Sequence, residues 1–280
     1  MTLTFHDGAI TEGPLSISPQ DRGLLLGDGL FETMMVLDGT IIWRKEHLAR
    51  MEGAAADLGF PFDGKVLAKA MDSLLARGGK GMNALRLTMT RGAAARGLAG
   101  NGNSTVFASL DPLPPGFILQ PGTLVTSPVR RNETAPSCRC KTLSYIDAIA
   151  AARDAVARGA DDALMLNCAG LVASGTIANV FVLRGGELAT PSLDQGILPG
   201  ITRRVLLDAA KQMGFRPVER RVTQSELPHA DAVFLTNSLR LVRQVTSLDG
   251  QPLGKRSLSF IFDALCGLIR DQAGRDPRLI

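Results

Sequence analysis

Aromatic residues are scarce in this 280-residue chain: they make up 5%, with one tryptophan and one tyrosine. A nucleic-acid surface needs a concentrated basic stripe, often interleaved with stacking rings. Here the net charge of +4 is spread over isolated pairs such as Arg130–Arg131, Arg203–Arg204 and Arg220–Arg221. Nucleic acid is therefore not an expected partner. Histidine is rarer still. His6, His47 and His229 lie far apart, and Cys138, Cys140, Cys168 and Cys266 lack zinc-site spacing. No metal centre is expected. Four cysteines do not make a disulfide framework, and the opening residues Met1 to Asp7 lack the charged start and apolar core of a secretory signal. The expected setting is the cytoplasm.

Long uncharged runs are few, and both are broken. Residues 163–183 carry no charge and are long enough to span a bilayer, but a turn-type cluster at Asn167-Cys168-Ala169-Gly170 interrupts them, as do Ser174-Gly175-Thr176 and Asn179. Residues 112–129 contain Pro112, Pro114, Pro115, Pro121 and Pro128, which excludes a regular helix. No membrane span is expected. What remains is an ordinary globular composition, 45% hydrophobic and 21% charged, in a chain long enough for two domains.

The proline cluster divides the chain into an N-terminal α/β domain (1–111), a linker (112–121) and a C-terminal domain (122–280). Strands are expected at 3–5, 31–37, 40–43, 84–90 and 105–110. Helices are expected at 45–58, with Leu48, Met51, Ala55 and Leu58 on one face and Gly59 at its end, and at 65–77. Beyond the linker, a strand at 122–129 precedes a helix at 145–158, with Ile146, Ile149, Ala152 and Val156 inward and Gly159 as its cap. Strands at 163–166, 170–173 and 179–183 follow. Then come a helix capped by Thr202 and running to Met213, a strand at 231–235 and a helix at 258–270. The fold class is mixed α/β.

The usual nucleophile and nucleotide signatures are missing. There is no G-x-S-x-G elbow. Gly78-Gly79-Lys80-Gly81 lacks P-loop spacing, and Gly27-Asp28-Gly29 lacks the third glycine of a dinucleotide fingerprint. Lysine is scarce too, which shortens the search. Lys45, Lys65, Lys69 and Lys211 fall on helices, and Lys80 and Lys255 sit beside glycine. Lys141 stands out because it directly precedes the helix expected from Tyr145. The positive end of a helix dipole disfavours an ammonium, and a Schiff-base lysine needs the neutral amine. A second feature is Gly196-Ile197-Leu198-Pro199-Gly200-Ile201-Thr202-Arg203. This loop delivers Ile201 and Thr202 to a helix start, where free amides and a hydroxyl hold a phosphate or simply cap the helix.

Several segments occur together in order: Asp21-Arg22-Gly23, Gly27-Asp28-Gly29-Leu30-Phe31-Glu32-Thr33, His47-Leu48-Ala49-Arg50-Met51 and Lys141-Thr142-Leu143-Ser144-Tyr145. Residues 175–179, the 196–203 loop and Thr236-Asn237-Ser238 complete the series. In this the chain resembles the class IV aminotransferases, pyridoxal-phosphate enzymes of fold type IV. That group includes D-amino-acid transaminases, branched-chain aminotransferases and aminodeoxychorismate lyases. The resemblance extends from about Asp7 to Gly250. It implies a smaller N-terminal α/β domain, a larger C-terminal pseudo-barrel and a homodimer acting on amino acids and 2-oxo acids.

Residue by residue, the resemblance makes Lys141 the Schiff-base lysine and proton shuttle. Arg50, Ile201, Thr202, Asn237 and Ser238 become phosphate contacts, and Tyr145 a neighbour of the ring hydroxyl. Phe31 and Arg96 become substrate contacts, Arg96 through Arg91-Gly92-Ala93-Ala94-Ala95-Arg96-Gly97-Leu98. One departure stands out. Where the family carries a glutamate for the pyridine nitrogen, this chain reads Leu171-Val172-Ala173-Ser174-Gly175, so Ser174 takes the place. A hydroxyl favours a neutral nitrogen and a poorer electron sink, which leans toward lyase chemistry. Amino transfer is the leading expectation, aminodeoxychorismate cleavage the alternative, and a cofactor-binding protein without turnover the third. The resemblance assigns Cys138 and Cys140 no role.

Overall fold

A computed structural model describes residues 3–6, 8–11, 14–100 and 102–280; Met1, Thr2 and Asp7 of the opening segment lie outside the described residues. The chain packs as two compact units. The first is Met1–Pro115 with Cys140–Ser144 and Ile269–Ile280; the second is Gly116–Arg139 with Tyr145–Leu268. The first break falls inside the proline-rich segment. The two later stretches that return to the first unit have no counterpart in a strictly sequential division.

The first unit is an antiparallel sheet covered by helices. Its strands are β1 (Leu3–His6), β2 (Ala9–Thr11), β3 (Gly29–Leu37), β4 (Thr40–Ile41), β5 (Met82–Thr90) and β6 (Val106–Pro112), in the order β2-β1-β6-β5-β3-β4. Asp38 and Gly39, both at positive φ, make the two-residue turn from β3 to β4. A short helix α1 (Arg22–Leu26) precedes β3. Helix α2 (Arg44–Leu58) buries Met51 and Ala55, packs Leu48 and Leu58 at the edge of the same core, and ends at left-handed Gly59. Helix α3 (Gly64–Arg77) is capped by Asp63, whose carboxylate accepts from the Lys65 and Val66 amides. Its buried stripe of Leu67, Ala70, Met71 and Leu74 completes the core.

The second unit is a barrel with additions. Its strands are β7 (Gly122–Thr126), β8 (Asp162–Leu166), β9 (Val172–Ser174), β10 (Asn179–Arg184), β11 (Glu187–Pro191), β12 (Arg216–Arg220), β13 (Ala232–Asn237), β14 (Leu241–Leu248) and β15 (Gln251–Pro252). The path β10-β13-β14-β7-β8-β9 closes on itself because β9 also pairs with β10, through Ser174 and Asn179. One face of this ring holds Leu124, Leu164, Val180, Val182, Val233, Leu235 and Val245. Four helices belong to this part of the chain: α4 (Pro136–Arg139), α5 (Ile146–Ala157), α6 (Ile201–Ala209) and α7 (Ser259–Ala273), whose last residues belong to the first unit. This mixed α/β architecture is the expected fold class.

Several expectations need correction. The inward face of α5 is Ala148, Ala151 and Ala155, with Ala151 and Ala155 packed against Val125, Ala163 and Met165; Ile146 (73% exposed), Ile149 (49%) and Val156 (72%) face outward. A helix lying close on a sheet needs small residues at the contact, so side-chain size misleads there. Gly159 is one position past the α5 cap, Arg158. Thr202 does not cap α6. Gly200 does, and regular helix stops at Ala209. Strands β2, β11, β12, β14 and β15 have no counterpart among the expected strands. Among the described residues no helix is long and apolar enough to cross a membrane.

Candidate active site

Lys141 is held by a strand rather than by the helix that follows it, since α5 begins five residues later. The Lys141 carbonyl accepts from Phe31 N at 3.0 Å, Leu143 N donates to the Gly29 carbonyl at 2.9 Å, and Thr142 bridges Leu30. Glycine is required for this docking. A Cβ on Gly29 would lie 2.5 Å from Leu143 Cδ1 and 2.9 Å from the Met89 carbonyl. With its backbone clamped, Lys141 rests Nζ 4.3 Å from the centroid of the buried Phe31 ring, which Arg86 also covers at 3.7 Å.

The next residue on β3 opens a buried charged group. Glu32 Oε1 accepts from Arg50 Nε at 2.8 Å, and its Oε2 accepts from Arg50 Nη2 at 2.6 Å and from His47 Nδ1 at 2.7 Å. His47 and Arg50 lie one turn apart on α2, so a single helix face delivers both to the strand. Burial alone would raise the Glu32 carboxyl, but the Arg50 charge and the bonds from His47 and Arg50 pull it down to about 2. Burial pushes the His47 imidazole below its ordinary value; Glu32 opposes this, while Arg50 and Lys141 add to it. His47 Nε2 is buried and has no hydrogen-bond partner among the described residues.

The second unit contributes a row of hydroxyls. Register places Met165, Ser174, Asn179 and Thr236 opposite one another on successive strands, so their side chains share a face. Ser174 reaches that face through a bulge in β9: Val172 pairs with Leu166, yet Ser174, two residues on, pairs with Met165. Asn179 ties the row to α6. Its Nδ2 donates to the Leu198 carbonyl at 2.9 Å, and a Cβ on Gly200 would fall 1.9 Å from its Oδ1. No side chain caps the amides that open α6. The hydroxyls of Ser174, Thr202 and Thr236 are all buried without a hydrogen-bond partner among the described residues.

The remaining expected residues are placed less tightly. Tyr145 is the half-buried N-cap of α5. Asn237 turns its Oδ1 back onto the Leu239 and Arg240 amides, so it shapes the turn that carries Ser238. Arg96 is exposed in its loop. The loop is fixed by another arginine: Arg22 donates to the Gly97 and Leu98 carbonyls at 2.6 and 2.7 Å and pairs with Asp28 at 2.7 Å. Arg91 pairs with the same Asp28 and donates to the Leu58 and Gly59 carbonyls.

Glu32, His47, Asn179 and Thr236 fall inside or beside the matched segments, yet sequence reasoning gives them no role. Their signal is local polarity in otherwise apolar strands and helices. The missing acid near Ser174 has a neighbour in space, since Asp162 Oδ1 accepts from Thr176 N at 3.3 Å and Thr176 Oγ1 at 2.6 Å. Among the described residues no group of three or more histidine, cysteine, aspartate or glutamate side chains is placed to hold a metal ion.

The two groups of residues offer an amine beside a buried charge pair, and an anion-ready helix start beside unsatisfied hydroxyls. Comparison with known proteins gives the class. Residues 29–248 match the family described as amino-transferase class IV. The chain belongs to that family of enzymes. It is 32% identical over 248 residues to the aminodeoxychorismate lyase of Bacillus subtilis, covering 86% of this chain and 84% of that protein. It is 27% identical over 267 residues to a D-alanine aminotransferase of Bacillus licheniformis, covering 91% and 90%. A solved branched-chain aminotransferase of Thermoproteus uzoniensis, with norvaline, superposes with a TM-score of 0.88 at 26% identity, covering 99% and 97%.

Proposed function

We propose that this chain is a pyridoxal-phosphate enzyme that moves an amino group between an amino acid and a 2-oxo acid, with Lys141 as its amine. The observation that carries the reading is the trio of buried, partnerless hydroxyls on Ser174, Thr202 and Thr236 beside an uncapped helix start. Each such group costs roughly 1–3 kcal/mol if left unsatisfied, and a phosphorylated ring with polar edges would satisfy them. Bound there, pyridoxal phosphate supplies an aldehyde that condenses with amines and a conjugated ring that spreads charge from the substrate α-carbon.

The protein's own parts follow from their chemistry. The Ile201 and Thr202 amides and the Thr202 hydroxyl would hold the phosphate, with Arg50 and the Asn237–Ser238 turn as further contacts. Ser174 would meet the ring nitrogen and Tyr145 the ring hydroxyl. Lys141 would hold the carbonyl carbon at rest, yield it to the substrate amine, and then move the α-proton. Phe31 and Arg96 would contact substrate. The enzyme would work as a cytoplasmic homodimer.

Aminodeoxychorismate cleavage to 4-aminobenzoate and pyruvate is the second reading. Ser174 favours it, because a hydroxyl in place of a carboxylate leaves the ring a weaker sink. The first experiment adds pyridoxal phosphate, reduces with borohydride and identifies the labelled peptide. The label is expected on Lys141, and a label elsewhere or none overturns the proposal. Incubation with D-alanine or L-leucine plus 2-oxoglutarate, beside aminodeoxychorismate, then separates the readings. Pyruvate from aminodeoxychorismate with no amino transfer from either donor would replace the first reading by the second.

A further inference from the structure

Arg131 is a charged group of the second unit that neither the packing nor the proposed reaction uses. It runs beside β8: its amide donates to the Leu166 carbonyl at 2.9 Å, and it bridges Asn167. Side chains alternate along a strand, and two separate clusters mark the faces of β8. Leu164 and Leu166 belong to the ring cluster, whereas Ala163 and Met165 pack against α5. Asn167 falls on the Met165 side, so Arg131 does too. Ser174, paired with Met165, joins them there. From that side the guanidinium reaches the Thr176 carbonyl, which accepts from Nη2 at 3.3 Å, two residues past Ser174.

An arginine keeps its charge at any working pH, and among the described residues this one has no ion pair. The acids on neighbouring segments are committed elsewhere. Glu133 Oε2 accepts from Cys168 N at 3.1 Å. Asp162, on the opposite face of β8, accepts at Oδ1 from Ala163 N and from the Thr176 amide and hydroxyl. Residues 163–183 bring no charge at all. Two buried polar atoms, Arg131 Nε and Ser174 Oγ, therefore stand on one face without hydrogen-bond partners among the described residues. Buried groups of this kind are rarely left idle.

We propose that Arg131 sets the charge at the Ser174 end of the site, so that a ring nitrogen bound there stays unprotonated. The inference rests on the reading that pyridoxal phosphate binds with its nitrogen at Ser174. A hydroxyl alone leaves such a nitrogen free to take a proton as pH falls. A guanidinium without a counter-charge opposes it, because a like charge close by shifts a titration by roughly 1–3 pH units. An unprotonated ring draws charge from the substrate α-carbon less strongly. Arg131 thereby joins Ser174 in favouring cleavage over amino transfer.

The first test uses cofactor-free protein and asks whether Arg131 acts at residue 174. Ser174→Glu places a carboxylate there, alone and together with Arg131→Gln, which keeps a donor for the Thr176 carbonyl. The introduced carboxyl, followed by carbon-13 NMR, should titrate at least about one pH unit lower in the single variant than in the double. That is a tenfold difference in proton affinity. Equal values in the two folded proteins overturn the proposal.

The second test leaves residue 174 as it is, and so stands even where the first variants fail to fold. Wild-type protein loaded with pyridoxal phosphate labelled with nitrogen-15 should show a ring nitrogen of the unprotonated type at pH 7. Arg131→Gln should raise the pH at which that nitrogen takes a proton by about one unit or more. Arg131→Lys keeps the charge and should stay near wild type. A protonated nitrogen in the wild type, or a titration indifferent to Arg131, sinks the inference. Borohydride trapping decides the functional reading separately. A label on Lys141 with a protonated nitrogen would keep that reading and remove this one. No label would remove the reading, and the cofactor-free titration would still decide the charge at residue 174.

Discussion

Ser174 and Glu32 each carry a prediction that rests on a single side chain. On the proposed reading, the bulged strand presents at residue 174 a hydroxyl where a carboxylate would keep a ring nitrogen protonated. Ser174→Glu should therefore speed amino transfer about tenfold, near 1.4 kcal/mol of barrier. Steady-state assays with the best donor check this, and an equal or slower rate tells against Ser174 as the nitrogen's contact. Glu32 makes a different prediction. Its carboxyl falls from 4.5 to about 2 on folding, so its contribution is fully present above pH 4.5 and disappears as pH drops toward 2. That difference corresponds to about 3 kcal/mol. His47 acts in the same direction from higher pH: buried neutral, it favours unfolding once the unfolded imidazole begins to protonate near 6.5. Urea midpoints should decline below pH 6.5 and more steeply below 4.5. Glu32→Gln should be less stable at pH 7, by roughly 3–5 kcal/mol for a buried cation left unpaired, and should lose the steeper phase.

At the scale of elements, helices are easier to read than strands. The α2 stripe follows from helical spacing alone, because large apolar residues and the closing glycine agree. The α5 face misleads, since alanine carries the contact and larger residues stay outside. β12 reads Arg-Pro-Val-Glu-Arg, and no alternation announces it; it is a strand because it runs parallel to β11. The candidate site divides in the same way. Lys141 and the 196–203 loop are contiguous in sequence and legible there. The row from Ser174 to Thr236 exists only because β9 closes the ring onto β10 and a bulge re-aims one side chain. Two glycines separate these levels experimentally. Gly53 lies exposed within α2 with nothing near its missing Cβ, so Gly53→Ala should stabilise the protein by about 0.5–1 kcal/mol. Gly200→Ala drives a methyl into Asn179. It should weaken pyridoxal phosphate binding at least tenfold while costing about 1–3 kcal/mol of stability. Absorbance titration and thermal melts measure both, and intact binding in Gly200→Ala would detach the α6 start from the phosphate.

For the whole molecule, the order of the chain and the order of packing differ. Residues 140–144 carry Lys141 back to the first unit, and residues 269–280 return there as well. The closing segment has specific work. Gln272 Oε1 accepts from Trp43 N at 3.1 Å, at the left-handed residue that opens α2, and Arg275 pairs with Asp38 in the β3–β4 turn at 2.9 Å. Ile269 is fully buried. Since α2 also carries His47 and Arg50, the far end of the chain supports the helix that positions the charged group around Lys141. Trp43 is the only tryptophan, and it is buried in the first unit. Its fluorescence therefore reports that unit without interference from the second. Deleting residues 269–280 should red-shift the emission and lower the urea midpoint read at Trp43, by the roughly 2–5 kcal/mol typical of losing a large buried aliphatic side chain. An unshifted spectrum with an unchanged midpoint would show that the closing segment contributes nothing to the Trp43 end of α2. The hold on His47 and Arg50 would then have to come from β3 alone.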